Sequence, residues 1–179
     1  VPDQPDKLDL LVTVTERFSG SFTMGIGYSE AQGALLNLGL SHDNIFGSGN
    51  RLGITFNNNE AQEQYEFLYE NPYYTADGVS RAFAANYSET DAAEANISNY
   101  LLDKIQLSMK YGIPLSEYNK IHFSFGLERN DIQISDLSSD EVRNFIIDNN
   151  EDFDSSSDID GDVYDSAFAT LSFSKDSRN

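Results

Sequence analysis

The residues best suited to acid–base chemistry near neutral pH are the two histidines, His42 and His122. His122 lies two residues before Ser124, and a serine hydrolase could use such a pair as base and nucleophile. The pair alone does not supply the carboxylate that orients the histidine in such an enzyme. We therefore interpret His122 as a polar residue of an alternating strand, and we predict no catalytic site.

A second candidate is a cation site in an acidic stretch near the end of the chain. Ser156, Asp158, Asp160 and Gly161 stand where positions 1, 3, 5 and 6 of an EF-hand loop would be. Serine replaces the first aspartate of that pattern, and Ala167 replaces its final glutamate. The chain has no cysteine, which excludes disulfides, thiolate nucleophiles and zinc knuckles. We predict no specific metal site and no cofactor, and we leave open whether the acidic stretch binds divalent cations.

Charge and hydropathy exclude several further classes of protein. The formal net charge is −19, with 11 Lys and Arg scattered singly, so no basic stripe is available for nucleic acid or for a membrane-surface helix. Uninterrupted apolar runs span only a few residues, whereas a transmembrane helix needs about 20. Strands of a membrane barrel need only about 9 to 11 alternating residues, so the sequence is compatible with a membrane barrel.

The clearest structural pattern is a hairpin between Gln64 and Tyr87. Tyr65, Phe67 and Tyr69 alternate with polar or smaller neighbours, and a period of two predicts a strand. The predicted turn contains proline, which cannot donate to a ladder, and Asp-Gly, which readily takes positive φ; its marker residues are Asn71, Pro72, Tyr73, Asp77 and Gly78. The apolar face of this hairpin would be core in a soluble sandwich, or would face lipid in a membrane barrel.

The same alternation predicts six more membrane-type strands, eight in all. They are Ser21–Ser29, Gly33–His42, Arg51–Asn58, Tyr100–Gly112, Asn119–Arg129 and Val163–Phe173. An earlier strand, Lys7–Arg17, has the pattern of a soluble domain. We therefore expect an all-β, antiparallel fold.

The connections between these strands fall into two classes. Three are compact and rich in Gly, Pro or Asn, namely Asn44–Asn50, Asn71–Gly78 and Pro114–Asn119. The alternate ones lengthen along the chain, up to Asn130–Asp162, in which a capping box at Ser138–Glu141 predicts one short helix, Asp140–Asp148. Short turns at one end and long loops at the other are typical of outer-membrane barrels, in which the long loops are extracellular.

In this order and spacing, the turn motifs resemble those of the BamA family, the central subunits of the bacterial outer-membrane barrel-assembly machinery. The resemblance rests on the following segments: Glu16-Arg17, Gly20-Ser21-Phe22, Gly25-Ile26-Gly27-Tyr28, Asp43-Asn44 with Gly47-Ser48-Gly49, Asn71-Pro72-Tyr73-Tyr74 with Asp77-Gly78-Val79-Ser80, and Gly112-Ile113-Pro114 with Glu117-Tyr118-Asn119. It covers nearly the whole chain from Lys7 and is poorest from Ile132 to Asp162.

The resemblance implies a sixteen-stranded barrel in the bacterial outer membrane, preceded by periplasmic POTRA domains. Residues 1–18 would end the last POTRA domain, and residues 19–179 would form the N-terminal half of the barrel, about eight strands. The implied function is non-enzymatic: the protein folds and inserts other barrel proteins. Its partners would be unfolded outer-membrane clients, other subunits of the complex and the lipid bilayer.

The resemblance also implies a lateral gate, at which the first barrel strand takes up a client strand. The implied pairing residues are Phe22, Thr23, Met24, Gly25, Ile26, Gly27 and Tyr28. The two glycines in this strand either weaken the gate or only permit curvature. The alternatives for the whole chain are a passive pore or small autonomous barrel, and a related POTRA-barrel secretion transporter.

Overall fold

Eight β-strands, joined by short turns at one end and loops at the other, make up most of the structure, a computed structural model. It describes residues 10–15, 18–30, 32–94, 99–135, 138–149 and 159–176. The strands are β1 Gly20–Ser29, β2 Gly33–His42, β3 Arg51–Asn58, β4 Gln62–Asn71, β5 Ser80–Asp91, β6 Tyr100–Pro114, β7 Asn119–Ser135 and β8 Ile159–Lys175. One helix, α1, spans Asp140–Asn149, and a single 3₁₀ turn spans Ile45–Gly47.

All eight strands belong to one antiparallel sheet in the order β1 to β8. The all-β antiparallel prediction is confirmed, and β2 and β3 begin and end at the predicted residues. The turns β2–β3, β4–β5 and β6–β7 share one end of the sheet, here called the turn end. The opposite end, called the loop end, carries the connections that lengthen along the chain.

The ladder register separates two faces of the sheet, because directly paired residues point to the same side. One row on what we call the apolar face crosses the entire sheet and runs Phe22, Leu40, Ile54, Phe67, Ala85, Leu107, Leu127, Ala167. The adjacent row, on the polar face, runs Thr23, Gly39, Thr55, Glu66, Asn86, Gln106, Glu128, Ser166. The two-faced pattern expected from alternation is therefore confirmed.

No layer of the described structure covers the apolar face. Its large side chains are exposed, including Phe67 at 43% and Leu107 at 55%, and the buried apolar residues in the described chain are only Ala61, Ala92 and Ile134. A soluble sandwich would bury this face against a second sheet. The sheet thus presents an apolar surface to its surroundings rather than to a core.

Helix α1 lies against the polar face at the loop end. Phe145 packs edge-on to Tyr164, with ring centroids 5.9 Å apart. Val142 and Phe145 of the helix line an open groove of about 350 Å³. Its other apolar lining residues are Tyr100, Leu102, Ile132 and Tyr164 of the sheet. The helix is therefore held over the polar face by a small apolar patch.

Two strand predictions need correction. β7 and β8 were expected to end at Arg129 and to begin at Val163, but their ladder continues to the pair Ser135–Ile159. The extension is stabilised by burial of Ile134, 4% exposed, and by the patch under α1. The strand predicted for Lys7–Arg17 does not form within residues 10–15, which belong to no strand and have no partner in the sheet. Its remaining residues, with Glu16 and Arg17, lie outside the described part of the chain.

Among the described residues, no helix is both long enough and apolar enough to cross a membrane.

Candidate functional site at the edge of the sheet

The first strand, β1, is an edge strand. It pairs with β2 on one side, and on its other side no described strand is paired with it. The main-chain groups of residues 21–28 that point away from β2 therefore have no partner in a ladder. An open edge of this kind accepts an extended segment through main-chain hydrogen bonds.

The edge presents side chains of two kinds. On the apolar face, the side chains of β1 are 62–79% exposed, and they are Phe22, Met24, Ile26 and Tyr28. Thr23, Gly25 and Gly27 lie on the polar face between them. The structure thus places all seven residues predicted for the gate on one exposed edge strand; their pairing with a client stays a prediction.

Sterics do not require glycine at the centre of β1. A Cβ added at Gly25 would meet only Asn37 Cβ, at 3.6 Å, and one added at Gly27 would meet Leu35 Cδ1, at 3.6 Å. Both are ordinary van der Waals distances, and neither glycine has a positive φ. Because glycine in a strand loses more chain entropy than alanine, each residue lowers the stability of β1 by about 0.5–1 kcal/mol.

Replacing both residues, Gly25→Ala with Gly27→Ala, is expected to stabilise β1 on β2 by about 1–2 kcal/mol in total. Hydrogen exchange of the β1 amides in the complete protein measures this as slower exchange. Gly53→Ala, on the interior strand β3, is the matched control and should leave the β1 amides unchanged. Unaltered exchange in the double variant would show that the glycines do not loosen the edge.

In addition to its ladder with β2, hydrogen bonds hold the segments that flank β1 at both of its ends. At the turn end, the Asp43 amide donates to the Ser19 carbonyl at 2.7 Å, and Ser19 Oγ lies 3.3 Å from His42 Nε2. At the loop end, the Glu60 amide donates to the Gln32 carbonyl at 3.2 Å. Between these ties, β1 is held by its ladder with β2 and by a hydrogen bond between Ser21 and Ser41, 2.8 Å apart.

The predicted turn residues form an ordered turn between β4 and β5. The Asn71 side chain accepts a hydrogen bond from the Tyr73 amide at 3.0 Å, and Gly78 has φ +82°. The Tyr74 amide donates to the Val79 carbonyl at 2.8 Å and closes the turn. Pro72 and Asp77 lie within it, between the last residue of β4 and the first of β5.

A polar network crosses the middle of the polar face. Glu128 accepts hydrogen bonds from Lys104 at 2.8 Å, Asn130 at 2.9 Å and Gln106 at 3.2 Å. Because the lysine charge and the two amides satisfy the carboxylate, Glu128 is held in a charge-assisted network that suits a wet surface.

The alternative chemical sites are not assembled. His42 and His122 lie on β2 and β7, five strands apart, and His122 contacts Ser174 at 3.4 Å rather than a carboxylate. Asp160 and Gly161 pair with Ile134 and Gln133 in the β7–β8 ladder, so they are not part of a cation-binding loop. Ser156 and Asp158 lie outside the described residues. In the described part, no group of three or more acidic, His or Cys residues is arranged to hold a metal ion.

The sequence pattern did not predict the apolar patch beneath α1, which is formed by Tyr100, Leu102, Ile132 and Tyr164. A signal was present, since Ile132 and Ile134 alternate with Asp131 and Gln133. The dense acidic residues that follow made this stretch resemble a loop.

Comparison with known proteins places the chain among outer-membrane proteins. The Omp85 superfamily domain matches residues 44–179. The outer membrane protein assembly factor BamA of Neisseria meningitidis serogroup B is 29% identical over 126 residues, 69% of this chain and 16% of that protein. The protein of the same name from Buchnera aphidicola is 33% identical over 130 residues, 71% of this chain and 21% of that protein.

A solved structure shows the same fold. The crystal structure of BamA from Haemophilus ducreyi lacking POTRA domains 1–3 superposes with a TM-score of 0.66 and 26% identity, covering 88% of this chain and 30% of that one. The chain therefore spans less than a third of each of these relatives, and the strands described here correspond to part of a larger barrel.

Proposed function

The chain belongs to the Omp85 superfamily, and on that premise we propose that it forms the first half of a barrel that folds and inserts other outer-membrane proteins. It is an outer-membrane protein. In the proposed arrangement its exposed apolar face lies against lipid. The proposed partners are unfolded outer-membrane clients and the other subunits of an assembly complex. The proposed mechanism is non-enzymatic strand addition at β1.

The proposal rests on one observation: β1 has an unpaired edge in the described sheet, and the apolar face of that sheet is exposed. At membrane depth, each unpaired main-chain group costs several kcal/mol, because lipid offers no hydrogen bonds. The edge is therefore stable only when another strand lies against it. An incoming client strand satisfies the edge and gains its own hydrogen bonds before it meets lipid.

The small autonomous barrel is disfavoured by the sheet order. Closure of eight strands would require β1 to pair with β8, yet each of these strands pairs with a single neighbour in the described chain. Strands from beyond this segment, or from a client, are needed to complete the sheet.

Disulfide crosslinking in cells tests the proposed mechanism, using the complete protein and a client stalled during insertion. The chain has no native cysteine, so single cysteines report one position each. Thr23→Cys or Gly25→Cys is expected to crosslink to a cysteine in the terminal strand of the client, because directly paired strand residues bring their Cβ atoms within about 4.5–5.5 Å.

The control is Gln106→Cys, which lies in the same cross-strand row as Thr23 but on an interior strand. Asn86 and Glu128 already flank it on both sides, so no client strand can pair there. Crosslinking at Gln106 equal to or greater than that at Thr23 and Gly25 would show that β1 is not the gate.

A further inference from the structure

Arg81 is a positively charged side chain on the apolar face of the sheet. The register places it in a row of the apolar face with Asn71, Tyr111, Phe123 and Leu171. Among the described residues, the other arginine on this face is Arg129. It is neutralised by Asp165, to which it donates two hydrogen bonds of 2.7 and 2.8 Å. Arg81 forms no such ion pair within the described part of the chain.

Arg81 lies at one boundary of the apolar band. Along β5, the residues that share its face are Phe83, Ala85, Tyr87 and then Glu89. At about 3.3 Å per residue and a tilt of about 40°, Arg81 and Glu89 are separated by roughly 20 Å across the membrane, close to the apolar height of such barrels. With this band in the bilayer, Arg81 lies at the headgroup level of the leaflet nearest the turn end.

Aromatic rings hold the guanidinium in place. Its Cζ lies 3.8 Å from the centroid of the Tyr74 ring and 5.0 Å from that of Phe83. Tyr74 is itself braced edge-on against Tyr111, with centroids 6.3 Å apart. The rings attract the cation through their π faces. The position of the charge is thus set before any ligand arrives.

The rings of Tyr74 and Phe83 leave part of the Arg81 guanidinium without a hydrogen-bond partner. Arg81 Nε is buried and has no hydrogen-bond partner in the described structure. Partial removal of a cation from water without an anion is unfavourable, because the rings do not replace the lost hydrogen bonds in full. The terminal N–H groups of a stacked, planar guanidinium remain able to donate paired hydrogen bonds to two oxygens of an anion.

We propose that Arg81, held by Tyr74 and Phe83 at the edge of the apolar band, binds the phosphate of a phospholipid in the leaflet nearest the turn end. The inference goes beyond client assembly and rests only on the apolar face lying in the outer membrane. Arginine matches phosphate geometry with paired hydrogen bonds, and lipid phosphates lie at the level of its guanidinium. The site is a lipid anchor that fixes the sheet at one membrane boundary.

The charge distribution of the apolar face favours binding of a lipid phosphate at the turn end over binding at the loop end. At the loop end, one cross-strand row contains four carboxylates, those of Glu63, Glu89, Asp103 and Asp131. Directly opposed carboxylates would repel a lipid phosphate. Anionic headgroups are therefore expected to bind near Arg81 and not on the same strands at the loop end.

Lipid titration of the complete protein tests the proposal. The delipidated protein in detergent is titrated with dimyristoylphosphatidylglycerol, and native mass spectrometry counts the lipids retained. Arg81→Gln is expected to weaken the tightest site about tenfold, because one charge-assisted contact is lost. Binding equal to that of the wild type would overturn the proposal.

Two controls distinguish specific lipid binding at Arg81 from nonspecific attraction of anions to positive charge. Lys110→Gln removes a positive charge from the neighbouring strand β6, where Lys110 pairs with Ala82 on the polar face, out of reach of lipid. It should leave lipid binding unchanged, and an equal loss would overturn the proposal. Millimolar inorganic phosphate should not displace the lipid; displacement would show an adventitious ion site only.

If Arg81→Gln does not fold, as judged by the heat-dependent gel shift of barrel proteins, Arg81→Lys takes its place. It keeps the charge but lacks the planar fork, so lipid binding about threefold weaker than the wild type is expected. Unchanged binding in that variant would overturn the assignment of Arg81.

Discussion

Leu107→Arg is expected to destabilise the folded protein in bilayers by about 2–4 kcal/mol. Leu107 lies near the middle of β6 on the apolar face, between Ala85 and Leu127, and its side chain is 55% exposed. An arginine at the bilayer midplane of a barrel costs about 2–4 kcal/mol. Folding of the complete protein into phospholipid vesicles, followed by the heat-dependent gel shift and by denaturant titration, measures the loss.

The matched control is Gln106→Arg, one residue earlier on the same strand. Gln106 points to the polar face and lies 3.2 Å from the Glu128 carboxylate, so an arginine there meets water and an opposite charge. Its effect on folding should be below about 1 kcal/mol. Equal losses in the two variants would contradict the assignment of lipid to one face and water to the other.

Gly126→Ala is expected to destabilise the barrel by about 1–3 kcal/mol through overpacking. Gly126 is buried on the polar face of β7. An added Cβ would lie 2.5 Å from Phe168 Cζ and 2.6 Å from the Leu107 carbonyl oxygen. The phenyl ring can rotate, but the carbonyl belongs to the ladder and cannot move without disrupting β6. Denaturant titration in lipid or detergent checks the loss.

Gly53→Ala provides the comparison, because Gly53 is also a strand glycine on the polar face. Its added Cβ would meet only Leu68 Cβ, at 3.6 Å. Alanine should be neutral there, or more stable by up to about 1 kcal/mol. If both alanine variants lose the same stability, the close approach of the Leu107 carbonyl is not what requires glycine at position 126.

The strands were predictable because apolar and polar residues alternate wherever one face of a strand meets an apolar environment and the other meets water. β2 and β3 match their predicted bounds, and the turn at Asn71–Gly78 follows from residues whose dihedrals are restricted or permissive. The helix was predicted from its capping box, and its first residue, Asp140, is the predicted one.

The errors came from interactions that a local pattern does not contain. The continuation of β7 and β8 to Ser135 and Ile159 depends on mutual pairing and on α1 lying over Ile132. The alternation of Ile132 and Ile134 was hard to detect because the intervening residues are acidic or polar and an acidic stretch follows. Residues 10–15 alternate as a strand would, yet a strand needs a neighbour, and the described sheet does not supply one.

The candidate site shows the same division between local and long-range information. Local sequence determined that Phe22 to Tyr28 alternate and contain two glycines, because alternation and glycine content are properties of the segment itself. Only the tertiary structure decided that β1 is an edge, since strand order depends on pairing between segments far apart in the chain. Likewise, alternation places Arg81 beside Phe83, but the ring of Tyr74 that holds it comes from folding of the turn.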